Sequence, residues 1–229
     1  MKEQKDWSKD EMLEGRVART LRALEKNEFQ TSFIPDGAGA KDLVLQSVRP
    51  GMRVGVGGSR TVRDLGLPEA LQAKGAVLLD HWDESLTCVV DKGMPWGTKG
   101  ASPFDVRKAQ LTCDVFLASV NAVTEKGELV SRDGIGNRVG ATTFGPSKVF
   151  LLVGVQKIVE DLHAAFRRLR EVAGPLRARS LNLDLPCVKG GVCVDCDRPE
   201  RLCRATLILH KRPLLSDITV ILIGQSIGY

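Results

Sequence analysis

Residues 148–157 read K-V-F-L-L-V-G-V-Q-K and residues 218–224 read I-T-V-I-L-I-G. Between Val149 and Val155 the first run is apolar throughout, and the second departs from this only at Thr219, whereas a strand with one solvated face would alternate. The same habit recurs in M-R-V-G-V (52–56), A-V-L-L-D (76–80) and D-V-F-L-A-S-V (114–120). Helical patterns lie between these runs. One covers 41–48 and stops at Pro50-Gly51, and a short one covers 68–74. Another starts at Ser102-Pro103, with proline at the first helical position where its missing N–H is harmless, and runs to about Thr112. A further helix is expected from Ile158, Leu162, Phe166 and Leu169, which share one face. Buried strands alternating with helices define an α/β fold, an open, mostly parallel sheet with helices on both faces.

Two segments frame this core. Ser8 to about Glu25 is an amphipathic helix: Ser8 and Glu11 form a capping-box pattern, and Met12, Leu13, Val17, Leu21 and Leu24 repeat at helical spacing. Residues 1–28 are therefore set apart as a helix packing on the domain, and 29–229 as a single α/β domain. F-Q-T-S-F-I (29–34) is extended, E-L-V-S (128–131) returns after the turn at E-K-G-E, and A-T-L-I-L (205–209) is a late strand.

The 229 residues suffice for one substantial core. The 33 Lys plus Arg against 28 Asp plus Glu leave +5, an excess too diffuse for a nucleic-acid protein. No strand is rich in aromatics for base stacking. Arg167, Arg168 and Arg170 read as a solvated helix face. The charged first residues lack the apolar core of a secretory signal, and no apolar run approaches the roughly 18 residues of a membrane span. A cytoplasmic protein that does not span a membrane is expected.

Two polar loops leave the carboxyl ends of strands, where open parallel sheets bind ligands. The first is G-V-G-G-S-R-T (55–61): its glycines let a ligand approach closely, and N–H groups at a helix start attract phosphate or carboxylate. A dinucleotide fingerprint fails because Arg60 stands where the third glycine belongs, although Asp80 lies where the ribose acid should. The second runs from Asn121 to Val139 and holds Asn121, Thr124, Asp133, Asn137 and Arg138. Lys157, closing its strand at the carboxyl end, faces the same rim. The candidate ligand-binding set is Gly57, Gly58, Ser59, Thr61, Asn121, Asn137, Arg138 and Lys157. No catalytic set emerges, since His81, His163 and His210 lie in unrelated contexts.

Cys187, Cys193, Cys196 and Cys203 are spaced C-x5-C-x2-C-x6-C, and only Cys88 and Cys113 lie elsewhere. In a reducing compartment such a cluster points to metal binding or redox chemistry rather than structural disulfides. The thiolates suit zinc or iron equally, and the spacing misses the regular ferredoxin run. Redox-active thiols and a purely structural loop are the other readings.

The stretch S-V-N-A-V-T-E-K-G-E-L-V-S-R-D-G-I-G-N-R-V (119–139), followed by F-G-P-S-K-V-F-L-L-V-G-V-Q-K-I-V (144–159), resembles the core signature of the lactate-utilization (LUD-domain) family. G-V-G-G-S-R-T and the tail P-C-x5-C-x2-C-x-x-P-x-R-x-C match its short single-domain members, so the resemblance covers Leu13 to Tyr229. It implies a fold like that of ribose-phosphate isomerases and CoA-transferases. It also implies a role in oxidising lactate, or another 2-hydroxy acid, beside iron–sulfur partner proteins, with a small anionic metabolite as ligand. In that setting the four cysteines would hold an iron–sulfur cluster, with zinc as the alternative. The competing functions are an isomerase or transferase on a phosphorylated or CoA-linked substrate, and a non-catalytic anion-sensing or assembly subunit.

Overall fold

The computed structural model describes residues 9–82 and 103–229. The expected caps Ser8 and Ser102, and Cys88, lie outside the described residues. Six strands build a wholly parallel central sheet: β1 (Gln30–Ile34), β2 (Arg53–Val56), β3 (Val77–Asp80), β4 (Val115–Ala118), β7 (Lys148–Gly154) and β10 (Ile218–Ile223). Their spatial order is β1-β10-β7-β4-β2-β3. The near-continuous apolar runs are explained by burial on both faces. All six residues of β10 are buried, as are all residues of β7 except Lys148.

Period-two geometry sends alternate side chains of each strand into different cores. Phe150 and Leu152 of β7 join Val56, Leu117 and Ile221 beneath α2 (Gly37–Ser47), α3 (Arg60–Asp64) and α4 (Leu67–Ala73). Val149, Leu151 and Val153 join Phe116, Leu222 and Leu24 on the opposite face, with α1 (Lys9–Lys26), α5 (Pro103–Ala109) and α6 (Asn137–Thr143). Each fully buried Leu or Phe of this kind contributes roughly 1.5–3 kcal/mol.

A second sheet lies on that face. It comprises β8 (Ile158–Val159), β5 (Ala122–Thr124), β6 (Leu129–Asp133) and β9 (Ala205–Leu209), in the order β8-β5-β6-β9. Val123 and Leu129 point into the large core, while Ala122 and Val130 meet Ala165 and Leu169 of the helix beyond. Helix α1 anchors to the β5–β6 turn through Arg16 and Arg19, both 2.8 Å from Glu125. Gly127 in that turn has φ +78°, and a Cβ there would stand 2.5 Å from the Ala23 carbonyl carbon. The turn therefore requires glycine. Leu24 and Val17 are buried, but Met12 and Leu13 are exposed, so only the second half of the expected apolar stripe packs.

Two local readings change. Ile158 belongs to β8, paired with Val123, and α7 (Leu162–Arg168) begins four residues later. Asp161 caps it by accepting a hydrogen bond from Ala164 N at 2.9 Å. Arg168 is buried rather than solvated: Nη1 donates to Asn121 O at 3.0 Å and Nε to Gln156 O at 3.3 Å. The helix continues through a π turn over 169–173 into α8 (Gly174–Ser180), and α9 (Pro186–Gly190) follows. Among the described residues no helix is long and apolar enough to cross a membrane.

Candidate functional site

The carboxyl ends of β2, β3, β4 and β7 deliver residues 58–61, 81–82, 119–121 and 157 to one rim of the central sheet. The β6–α6 loop, the helical wall from Leu169 to Leu181, and Tyr229 complete a cavity of ≈ 180 Å³. Gly58, Ser59, Thr61, Asn121, Asn137, Arg138 and Lys157 all line it. Gly57 does not. It serves the turn instead, its N–H donating to Leu117 O at 2.9 Å.

Most of these polar groups already have protein partners. Ser59 caps α3, its Oγ accepting from Val62 N at 3.4 Å. That helix has only five residues, so the attraction of a helix dipole for an anion is weak here. Asn121 Oδ1 accepts from Arg132 N at 2.8 Å and from Arg138 Nη2 at 3.1 Å. Arg138 also donates to Ser119 O at 2.9 Å and to Arg132 O. Asn137 Nδ2 donates to Gln110 Oε1 at 3.2 Å. Asp133 accepts from three backbone N–H groups, those of Gly134, Arg138 and Val139. This network fixes the shape of the cavity. Asp80 is committed as well: Arg63 Nη2 sits 2.8 Å from both carboxylate oxygens, and Trp82 N donates to Oδ1 at 3.0 Å.

The charge that remains is positive. Arg177 lies over the Trp82 ring, 5.1 Å from its centroid, and Arg132 Nε donates to Thr206 Oγ1 at 3.2 Å. Neither has a carboxylate partner among the described residues, and Lys157 has none either. Lys157 Nζ donates to Thr61 Oγ1 at 2.8 Å and to Ser119 Oγ at 2.9 Å. Burial, reinforced by Arg168 and Arg138 and opposed by Asp64, lowers its pKa from 10.5 to about 7. Desolvation also lowers the Arg138 pKa, against the pull of Asp133.

The rim holds residues that sequence reasoning passed over. His81 lines the cavity, and Gln110 Nε2 lies 3.1 Å from its Nδ1. That amide directs its two protons at Val56 O, 2.9 Å away, and Leu79 O, 2.7 Å away, and only braces the imidazole. Burial and the cations Arg107, Arg63 and Arg177 push its pKa down to about 3, leaving a neutral N–H donor. Its position just beyond the carboxyl end of β3 was the available signal. Trp82, Arg177 and Tyr229 carry no sequence pattern that marks them.

The four clustered cysteines line a second cavity of ≈ 20 Å³ and are unpaired. Burial raises the Cys187 pKa, and the negative charge that Cys193, Cys203 and Cys196 would carry raises it further. Burial likewise raises Cys203, against the pull of Arg132. Thiols that repel one another's ionisation are those a bound cation would relieve, because a metal takes them as thiolates. Among the described residues, however, no three His, Cys, Asp or Glu stand close enough to form a ligand set.

An open parallel sheet covered on both faces is consistent with a Rossmann-like or ribose-phosphate-isomerase-like α/β fold. Within that class the model of the LUD domain matches residues 17–223, and the chain belongs to the LUD domain family. Membership implies involvement in lactate utilization. The fold is similar to that of a DUF162 family protein from Deinococcus radiodurans: the TM-score is 0.52 at 11% sequence identity, covering 93% of this chain and 98% of that one. Among curated proteins none matches.

Proposed function

We propose that the chain is a cytoplasmic component of a lactate, or 2-hydroxy-acid, oxidation system, acting with iron–sulfur partner proteins, and that its rim cavity binds a small carboxylate. The observation that carries this is the charge balance of the cavity. Arg132 and Arg177 line it without carboxylate partners among the described residues, while Asp133, the one carboxylate side chain among its described lining residues, is taken by backbone N–H groups. A carboxylate ligand supplies the missing anion, and charge-assisted hydrogen bonds from arginine favour it. The neutral His81 imidazole and the Thr61 and Ser119 hydroxyls suit the hydroxyl or keto oxygen beside that carboxylate. The volume of ≈ 180 Å³ also favours a small metabolite, since larger ligands occupy clefts of roughly 300–1,000 Å³.

Cys187, Cys193, Cys196 and Cys203 carry the metal chemistry in this reading. They would hold an iron–sulfur cluster if the loop opens around it, and a single zinc ion if it closes so that the four sulfurs converge. A cluster would supply electron transfer, and zinc a structural clamp.

Thermal-shift measurements test the ligand class. Lactate or pyruvate should raise the melting temperature, and sugar phosphates or CoA should not. The opposite pattern would replace this reading with a transferase or isomerase on a phosphorylated substrate. The isolated chain should oxidise lactate poorly and gain activity with its iron–sulfur partners, so robust turnover by the chain alone with an added dye would remove the partner requirement.

A further inference from the structure

We propose that Lys157 forms a reversible imine with the carbonyl carbon of a small 2-oxo acid held in the rim cavity. This rests on the reading of the cavity as a small-carboxylate site, and it adds a covalent role that binding alone does not require.

The geometry argues for it in three ways. A buried lysine that only supports structure is normally pinned by a carboxylate or by backbone carbonyls. The hydrogen bonds of Lys157 instead go to two hydroxyls, Thr61 Oγ1 and Ser119 Oγ. These hydroxyls send their own protons to Ile227 O, 3.5 Å away, and Val120 O, 3.2 Å away, and an amine that has lost one proton still has two N–H groups for both of them. The neighbouring charges are mainly cations, Arg138 from α6 and Arg168 from α7, with Asp64 of α3 the opposing carboxylate. Such surroundings keep an amine unprotonated and nucleophilic near neutral pH, and a desolvated lysine beside another cation is a known way to activate it. Finally, Lys157 lines the cavity together with Arg177 and Arg132, so a bound carboxylate would bring its adjacent carbonyl within the same small space.

The chemistry balances without an oxidant. The Nζ lone pair attacks the carbonyl carbon, a C–N bond forms, and the carbonyl π pair moves to oxygen. A proton passes from nitrogen to that oxygen through the adjacent hydroxyls, giving a carbinolamine. The nitrogen lone pair then forms the C=N bond as the C–O bond breaks, and the departing hydroxyl takes the remaining N–H proton through the same hydroxyls and leaves as water. Hydrolysis reverses each step, and the substrate carboxylate offsets the charge of a protonated imine.

Borohydride reduction in the presence of pyruvate tests the proposal, with peptide mass mapping across all lysines. The expected result is a saturable reduced adduct on Lys157, with the remaining lysines labelled only slowly and without saturation. Lactate has no carbonyl, so it should form no adduct itself and should cause loss of the Lys157 label by occupying the cavity. K157M should show no saturable label, and the wild-type peptide map gives the answer even if that variant folds poorly. Absence of a Lys157 adduct overturns the imine. If pyruvate still stabilises the protein thermally in that case, the carboxylate site stands. If neither pyruvate nor lactate stabilises it, the site reading falls as well.

Discussion

Replacing Lys157 by Met removes a buried amine whose proton affinity differs between folded and unfolded chains, and the effect on stability should depend on pH. In the folded protein the pKa is lowered from 10.5 to about 7, first by burial and then by Arg168 and Arg138. Below about pH 7 both states are protonated, and the native state carries the full cost of a desolvated ammonium, roughly 4–5 kcal/mol at ~1.36 kcal/mol per pH unit. Between 7 and 10.5 the unfolded chain binds a proton that the native one does not, so wild-type stability rises with pH relative to the variant. From pH 6 to pH 9 the difference between the two proteins should change by about 2–3 kcal/mol in favour of wild type. The variant also deprives the Thr61 and Ser119 hydroxyls of a partner, a pH-independent loss of about 1 kcal/mol each. Urea unfolding of both proteins at several pH values measures the difference directly. A gap that stays constant across that range would refute the desolvated-amine reasoning, whatever its size.

Three further substitutions separate binding from architecture. Arg177→Ala should weaken pyruvate or lactate by roughly 1.5–3 kcal/mol, read by calorimetry, with little loss of stability because its side chain makes no hydrogen bond or ion pair among the described residues and stacks on Trp82. Arg138→Ala strips hydrogen bonds from Ser119 O, Asn121 Oδ1 and Arg132 O and should lower unfolding stability by about 2–4 kcal/mol as well as weakening the ligand. Gly228→Ala should destabilise by about 1–3 kcal/mol in the same unfolding assay. The glycine has φ +67°, and a Cβ there would stand 2.2 Å from Thr61 Oγ1 and 3.1 Å from Lys157 Nζ.

The central sheet was legible because parallel strands are buried on both faces and must be apolar nearly throughout, as β7 and β10 are. Of the second sheet, β6 and β9 were legible as strands, whereas β5 with three residues and β8 with two are too short to display a period. Ile158 stands four residues before Leu162, so helical spacing claimed it although Asp161 starts the helix between them. Arg168 looked like one charge in a solvated run, but its burial depends on the carbonyls of Asn121 and Gln156, which only the folded chain brings near. The rule that ligand loops follow the carboxyl ends of parallel strands located most of the rim. It marked no residue of the helical wall, so Arg177 stayed hidden.

That helical wall also joins the cavity to the cysteines. Its π turn over 169–173 leaves Arg170 O as acceptor for Cys193 N at 2.9 Å, which docks the cysteine loop on one side. Leu169, Ala173 and Gly174 of the same segment face the rim cavity on the other. Gly174, Leu202 and Cys203 line both spaces, and Arg132 of the rim lowers the Cys203 pKa against the burial that raises it. Extra residues of π type commonly sit at functional sites because they break the regular hydrogen-bond ladder and free a group for another partner. Here the freed carbonyl holds the thiol loop while the turn itself shapes the pocket wall. The rim cavity and the thiol cluster are therefore built on one short helical segment.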